Sequence, residues 1–271
     1  MSGAGASQAE PPTGSLDTRV EAGVGWITLR NPAKRNALTL AMWAAMTRAL
    51  ADFAADPAVR VVVMHGTGGR AFCAGADIGE MERMAAEGRQ AEYAAVTDAG
   101  RRALAAFVKP MIAMIGGTCI GGGVTLALQT DLRVASADSS FGIPAARLGI
   151  APDAGNLERL TALLGPSVTK ELMFTGDVIG AERALALGLV NRVVAPEALE
   201  SETAALAGRI AANAPLALLA IKRGVDMFAG DDTRRDPALL DHLARLCTES
   251  ADLREGRRAF LEKRRPVFSG R

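Results

Sequence analysis

Through the first two-thirds of the chain the apolar positions alternate between short continuous or β-rich runs and stretches at helical spacing. Thr18 to Arg30 (TRVEAGVGWITLR) holds two β-rich runs about a Gly-containing turn and predicts a hairpin, which Asn31-Pro32 stops. Thr39 to Phe53 repeats apolar residues at helical spacing with Thr39 placed as N-cap, and Val59 to Met64 (VRVVVM) predicts a short buried strand. Glu80 to Ala106 reads as mainly helical, Met111 to Ile115 as a strand, Gly122 to Leu128 as a short helix entered from glycines, and Leu132 to Ala135 as a strand. A helix over Ala154 to Leu164 and a last strand over Leu189 to Val194 complete an alternation of β and α units, so the expected fold class is α/β.

From Ala198 the chain turns Ala-, Leu- and Arg-rich, with helices expected near 198–213, 215–229, 236–250 and 252–264. Their apolar stripes exceed what one thin layer can bury, which predicts packing on another subunit. The organisation expected is a disordered tail over 1–15 (MSGAGASQAEPPTGS), a core over 16–197, and a helical oligomerisation region over 198–271.

Composition narrows the functions. A 49% hydrophobic, 23% charged chain of 271 residues has enough apolar surface to bury a sizeable core. Thirty-one basic against 30 acidic residues leave a formal charge of +1, so no global field favours nucleic acid or an anionic membrane surface, and an anionic ligand must be met by local groups. Three widely spaced cysteines without a C-x-x-C pair fit a reducing cytosol, and the small, polar N-terminus lacks the pattern of a signal or transit peptide, so a cytoplasmic location is expected. Pro110 to Thr130 is uncharged and long enough to imitate a membrane span, but its glycines and leading proline predict a strand, a glycine turn and a buried helix.

Two segments carry candidate chemistry. Ala71 to Met81 (AFCAGADIGEM) places small residues around Gly75 where a turn enters a helix, exposing N–H groups that suit an anion or a developing oxyanion. The same residues suit a plain connection with Asp77 as N-cap. Gly116 to Asp131 (GGTCIGGGVTLALQTD) sets Gly121, Gly122 and Gly123 at a strand-to-helix junction, again with N–H groups at a helix start, or simply for close helix packing. The spacing is neither G-x-G-x-x-G nor a P-loop, which disfavours nucleotide phosphate. Elsewhere, Glu80 and Glu82 read as a solvated helix face, Cys73 and Cys119 as small buried thiols, and His65 and His242 lack partners at ligand spacing.

NPAKRNAL (Asn31 to Leu38), AFCAGADI (Ala71 to Ile78), IGGGVTLALQTDLRVA (Ile120 to Ala135), SSFGIPAARLGIAPDAG (Ser139 to Gly155), ALALGLVNRVV (Ala184 to Val194) and the terminal AFLEKRRPVF (Ala259 to Phe268) resemble successive blocks of the crotonase (enoyl-CoA hydratase/isomerase) family. The resemblance implies a spiral of ββα units, a helical C-terminal trimerisation region, and a homotrimer or dimer of trimers. It implies an acyl-CoA thioester substrate, in which coenzyme A is part of the substrate and no separate cofactor is needed. By position, the N–H groups of Ala76 and Gly122 match the family's oxyanion hole, with Gly121 beside them. Ala74, Asp77 and Ile78 match the loop along the coenzyme A path, Lys34 and Arg35 are phosphate neighbours, and Phe260 and Lys263 match a helix that can reach coenzyme A on an adjacent subunit.

The same resemblance sharpens the reaction. Hydratases of the family carry glutamates where this chain has Thr125 and Ala145, neither of which can act as a carboxylate base. Asp153 stands where isomerases of the family place an acid, with Ile150, Ala151, Pro152 and Ala154 expected to desolvate it; as an Asp before a helix it also suits an N-cap. The expected activity is a double-bond shift in an enoyl-CoA with Asp153 as proton carrier. The alternatives are hydration through another acid or base, and a non-catalytic acyl-CoA-binding oligomer.

Overall fold

The structure, a computed structural model, describes residues 14–229 and 235–271. Strands β1 (Ser15–Glu21) and β2 (Val24–Arg30) form the expected hairpin, and its Gly23 supplies the left-handed turn. Of the tail expected over 1–15, residues 1–13 lie outside the described residues, whereas Ser15 already pairs with Arg30 as the first residue of β1. Helix α1 (Leu40–Ala55) begins at Thr39, whose side chain accepts the Met42 N–H at 3.2 Å.

After α1 the chain repeats one step three times. A strand of a large sheet turns into a three-residue strand of a small sheet, and helices return it to the large sheet, the third time by way of one more small-sheet strand. β3 (Val61–Gly66) is followed by β4 (Ala71–Cys73) with α2 (Ile78–Ala86) and α3 (Gln90–Ala106); β5 (Met111–Ile115) by β6 (Thr118–Ile120) with α4 (Gly122–Leu128); and β7 (Leu132–Ser136) by β8 (Ser140–Gly142) with α5 (Ala154–Leu164) and α6 (Pro166–Thr175). β9 (Val178–Gly180), α7 (Ala181–Ala186) and β10 (Arg192–Val194) close the series. The large sheet has the order β1-β2-β3-β5-β7-β10, parallel from β2 onward, and the small one β4-β6-β8-β9. This is a spiral of ββα units. The uncharged run at 110–130 divides between β5, β6 and α4, so it forms no single long helix.

Alternation along β3 explains both cores. Val62 and Met64 face α1 and α4 with Met42, Met46 and Leu126, while Val61 and Val63 face the other side with Trp26, Ile112 and Met114. Helix α8 (Leu199–Ala211) covers that second face through Leu199, Leu206 and Ala207. The boundary expected at 198 is therefore displaced: α8 belongs to the core, because the sheet's outer face needs an apolar cover. Helices α9 (Pro215–Ala229), α10 (Pro237–Glu249) and α11 (Ala251–Leu261) form the C-terminal region proper, with α10 packed on both neighbours. Lys222 of α9 ties it to the core by donating to Asp131 Oδ2 at 2.9 Å and to the Lys109 carbonyl at 3.0 Å.

His65, next to last in β3, shares a cross-strand bond between its Nε2 and Thr28 Oγ1 at 2.9 Å and lies edge-on to Trp26. Burial lowers its pKa below the ordinary value of 6.5, and the Arg19 charge acts in the same direction. A histidine depressed by folding is held neutral, so the unfolded chain binds the extra proton first as pH falls. Thermal stability should therefore decline as pH drops below 6.5, and His65→Gln should flatten that decline. Melting temperatures of the two proteins between neutral and mildly acidic pH check this.

Candidate functional site

The Asn31–Leu38 block forms a tight loop against which the Ala71–Asp77 segment is laid. Asn36 is buried in a left-handed conformation (φ 56°); its Nδ2 donates to the carbonyls of Thr67 and Ala71 at 2.9 and 2.7 Å, and its Oδ1 accepts the Asn31 N–H at 2.9 Å. Ala74 N–H donates to the Arg35 carbonyl at 3.0 Å, Leu38 N–H to the Gly75 carbonyl at 2.7 Å, and Asp77 N–H to the Leu38 carbonyl at 2.9 Å.

A parallel bridge of this kind uses the bonding groups on either side of Ala76, so its own N–H points the other way. The peptide between Gly75 and Ala76 is planar and trans, and holding the Gly75 carbonyl on Leu38 aims the Ala76 N–H outward. Gly75 takes φ +103° to make this turn, a conformation costly for any side chain.

The second donor arises in the same manner. Gly121 (φ 56°, ψ −119°) precedes α4, and its carbonyl accepts the Val124 and Thr125 N–H groups at 3.0 and 3.2 Å. The N–H of Gly122, first in the helix, faces away from that carbonyl, and helix geometry gives it no intrahelical acceptor. Among the described residues no backbone carbonyl takes either N–H. The two loops touch: a Cβ on Gly75 would lie 3.2 Å from the Gly122 nitrogen, and one on Gly122 would lie 3.5 Å from the Ala76 nitrogen. Two unused amides side by side, one on a helix start, can stabilise an oxyanion by about 3 to 4 kcal/mol each when water is excluded.

Beneath them Cys73 of β4 and Cys119 of β6 are register partners, both fully buried, and burial pushes the Cys73 thiol up to about 12. They pack as small neutral groups, as expected. Asp77 caps α2 by accepting the Glu80 N–H at 3.2 Å and binds Lys34 Nζ at 2.9 and 2.6 Å. Its burial alone would raise the carboxyl, but the Lys34 ammonium and the Glu80 N–H outweigh this and hold it below the usual carboxylate value. Lys34, expected beside a phosphate, is thus paired within the chain, whereas Arg35 stands exposed on the loop in a left-handed conformation. Ala74 and Gly121 border the two donors, and Ile78 is 48% exposed at the start of α2.

The acids do not behave as expected. Glu80 is no solvated side chain: its Oε2 accepts the Leu40 N–H at 2.6 Å, so it neutralises the start of α1. Glu82 is exposed as foreseen. Thr125 donates its hydroxyl to the Gly122 carbonyl at 3.0 Å, and Ala145 packs on the core, so neither position offers an acid or base. Asp153 caps α5, with Oδ1 accepting the Asn156 N–H at 3.0 Å and Oδ2 bonded to Asn156 Nδ2. The apolar shelter expected around it is absent in the single chain. Asp153 is exposed, and so are its neighbours Leu148 (64%) and Ile150 (48%), which turn outward from the 3-10 turn at Ala146–Leu148. Phe260 (82% exposed) and Lys263 lie on and just after α11, which packs chiefly on α10 and not around the two donors.

Comparison with known proteins settles the family. The profile described as "Enoyl-CoA hydratase/isomerase" matches residues 19–271. The chain belongs to the enoyl-CoA hydratase/isomerase family. A crotonyl-CoA hydratase of Syntrophomonas wolfei is 40% identical over 214 residues, 79% of this chain and 82% of its own. A carnitinyl-CoA dehydratase of Salmonella enteritidis is 38% identical over 252 residues, 90% and 94% of the two chains. The crystal structure of an enoyl-CoA hydratase/carnithine racemase from Magnetospirillum magneticum superposes with a TM-score of 0.88 at 35% identity, covering 94% of this chain and 96% of that one. The crotonase fold and an acyl-CoA enzyme are thereby shown.

Residue patterns alone did not expose Asn36, Leu38 and Glu80, which hold the two loops. Two asparagines in a short Pro-containing block, off any helical or strand period, were the available sign.

Proposed function

We propose that this enzyme moves the double bond of a 3-enoyl-CoA to the 2-position, with Asp153 carrying the proton and the Ala76 and Gly122 N–H groups holding the thioester oxygen. One observation carries the reading: of the acids nearest the two donors in the sequence blocks, Asp77 is bound to Lys34 and Glu80 to the start of α1, while the positions of Thr125 and Ala145 hold none, and Asp153 is exposed, its carboxylate held by Asn156 of its own helix. Asp153 takes a proton from C2, negative charge moves onto the thioester oxygen between the two amides, and the same carboxyl returns a proton at C4. One carboxylate suffices, and no group beyond the coenzyme A of the substrate is required.

Arg35 and the exposed Ile78, with Ala74 between the loops, suit the phosphate and apolar parts of coenzyme A. Ile221, Val225 and Phe228 line one side of α9 at 62, 63 and 61% exposure, and Phe260 stands out on α11. We infer that a second copy covers this surface and that Phe260 and Lys263 reach its coenzyme A, within a homotrimer or dimer of trimers in the cytosol.

The names of relatives favour a second reading, hydration. Following deuterium from D2O into a 3-enoyl-CoA and a 2-enoyl-CoA separates the two. Isomerisation predicts label at C4 and migration in the wild type, lost in Asp153→Asn, with no hydrated product. Hydration of the 2-enoyl-CoA by both proteins alike would overturn the isomerase reading.

A further inference from the structure

We propose that Gln129 and Asn156 form a relay that holds the Asp153 carboxylate in one orientation, so that it can serve two carbons; this rests on the reading of Asp153 as the proton carrier. An N-cap needs one bond, and Asp153 Oδ1 already makes it with the Asn156 N–H at 3.0 Å. The second bond, from Asn156 Nδ2 to Oδ2, has no capping purpose.

The carboxylate can only accept, so the Asn156 amide must turn its Nδ2 inward, and the far side holds it there. Gln129 Nε2 donates to Asn156 Oδ1 at 3.1 Å, which anchors the far end of the Asn156 amide in the orientation the carboxylate requires. Gln129 is the C-cap of α4, one turn beyond Thr125 and on the same helix face. Helix α4 therefore carries an oxyanion donor at its start and the anchor of the proton carrier at its end. The two parts of the reaction would share one rigid frame.

Holding matters because the proton leaves C2 and must return at C4. A carboxyl free to turn would trade that proton with D2O and deliver a deuteron to C2 more often, giving exchange without migration. The test runs 3-enoyl-CoA in D2O with Asn156→Leu, Gln129→Leu, the double variant and Gln129→Glu. Gln129→Glu keeps the shape but demands the Asn156 Nδ2, which turns Oδ1 onto Asp153. Each of the single variants should lower the kcat of migration about tenfold with KM within about twofold, and raise the ratio of C2 exchange to migration at least about threefold. The double variant should be no worse than Asn156→Leu, since both act through one contact.

An unchanged ratio in both Gln129→Glu and Asn156→Leu, or fully additive losses, would overturn the relay. The ratio reports orientation in whatever enzyme remains folded, so a loss of protein alone would not mimic it. Asp153→Asn is run alongside: if it still exchanges and migrates, the proton-carrier reading fails and the relay with it. If it does neither while the relay variants keep the wild-type ratio, the relay alone is wrong.

Discussion

Gly123→Ala should lower kcat by about a hundredfold, comparable to removing an oxyanion donor. A Cβ at Gly123 would lie 2.0 Å from the Cys73 carbonyl oxygen and 2.8 Å from its carbon, both backbone atoms of β4 that cannot move aside. The start of α4 would have to shift away from β4, and Gly122 is its first residue. The spacing of the two N–H groups would widen, with a stability loss of about 2 kcal/mol from overpacking. Gly208→Ala in α8 is the control: nothing lies within 4 Å of its new Cβ, and it should be neutral or slightly stabilising. Steady-state kinetics and thermal melting of both variants decide it; wild-type kcat in Gly123→Ala would show that the packing of α4 on β4 does not set the site.

Asp252→Ala should lower stability by about 2 to 3 kcal/mol. Asp252 is 3% exposed in the first turn of α11 and accepts the Ser269 N–H at 2.7 Å, the Ser269 hydroxyl at 3.2 Å and the Gly270 N–H at 2.8 Å. Removing the carboxylate leaves those donors without a partner in a part-buried place, and it frees the segment after α11. The Arg271 carbonyl, which accepts the Ala251 and Asp252 N–H groups at 2.6 and 3.2 Å, would leave the start of α11 with it. Denaturant titration gives the energy, and cleavage after Lys263 or Arg264 by trypsin should become faster in the variant. An unaltered midpoint and cleavage rate would mean that Glu255, which binds Arg264 and the Val267 N–H, holds the segment unaided.

Much of this could be read from residues because long periodic segments announce themselves. The large-sheet strands and most helices fall where the apolar spacing puts them, and Gly122–Leu128 matches because glycines mark its start and Gln129-Thr130 its end; α6 and α7 are not anticipated, and the stretch at 80–106 divides into α2 and α3. The small sheet was not legible. Its strands have three residues each, too few for a period of two to show, and they are recognisable only through their partners across the chain. The donors Ala76 and Gly122 came from the resemblance, since a backbone N–H leaves no side-chain signature beyond small neighbours. The bonds that aim them join residues some 40 positions apart, such as Leu38 with Gly75 and Glu80 with Leu40. The surroundings of Asp153 are not legible: Ile150, Ala151, Pro152 and Ala154 are apolar, but apolar type does not fix direction, and here they are exposed.

In the proposed reaction the Ala76 and Gly122 amides grip a thioester oxygen. The most direct measurement is the infrared stretching band of a ¹³C-labelled thioester carbonyl in a saturated acyl-CoA bound to the wild-type enzyme, compared with the same ester in water. Two aimed N–H donors predict a clear shift to lower frequency, reduced in Gly123→Ala. A band at the position found in water, from an ester shown to be bound, would contradict the account.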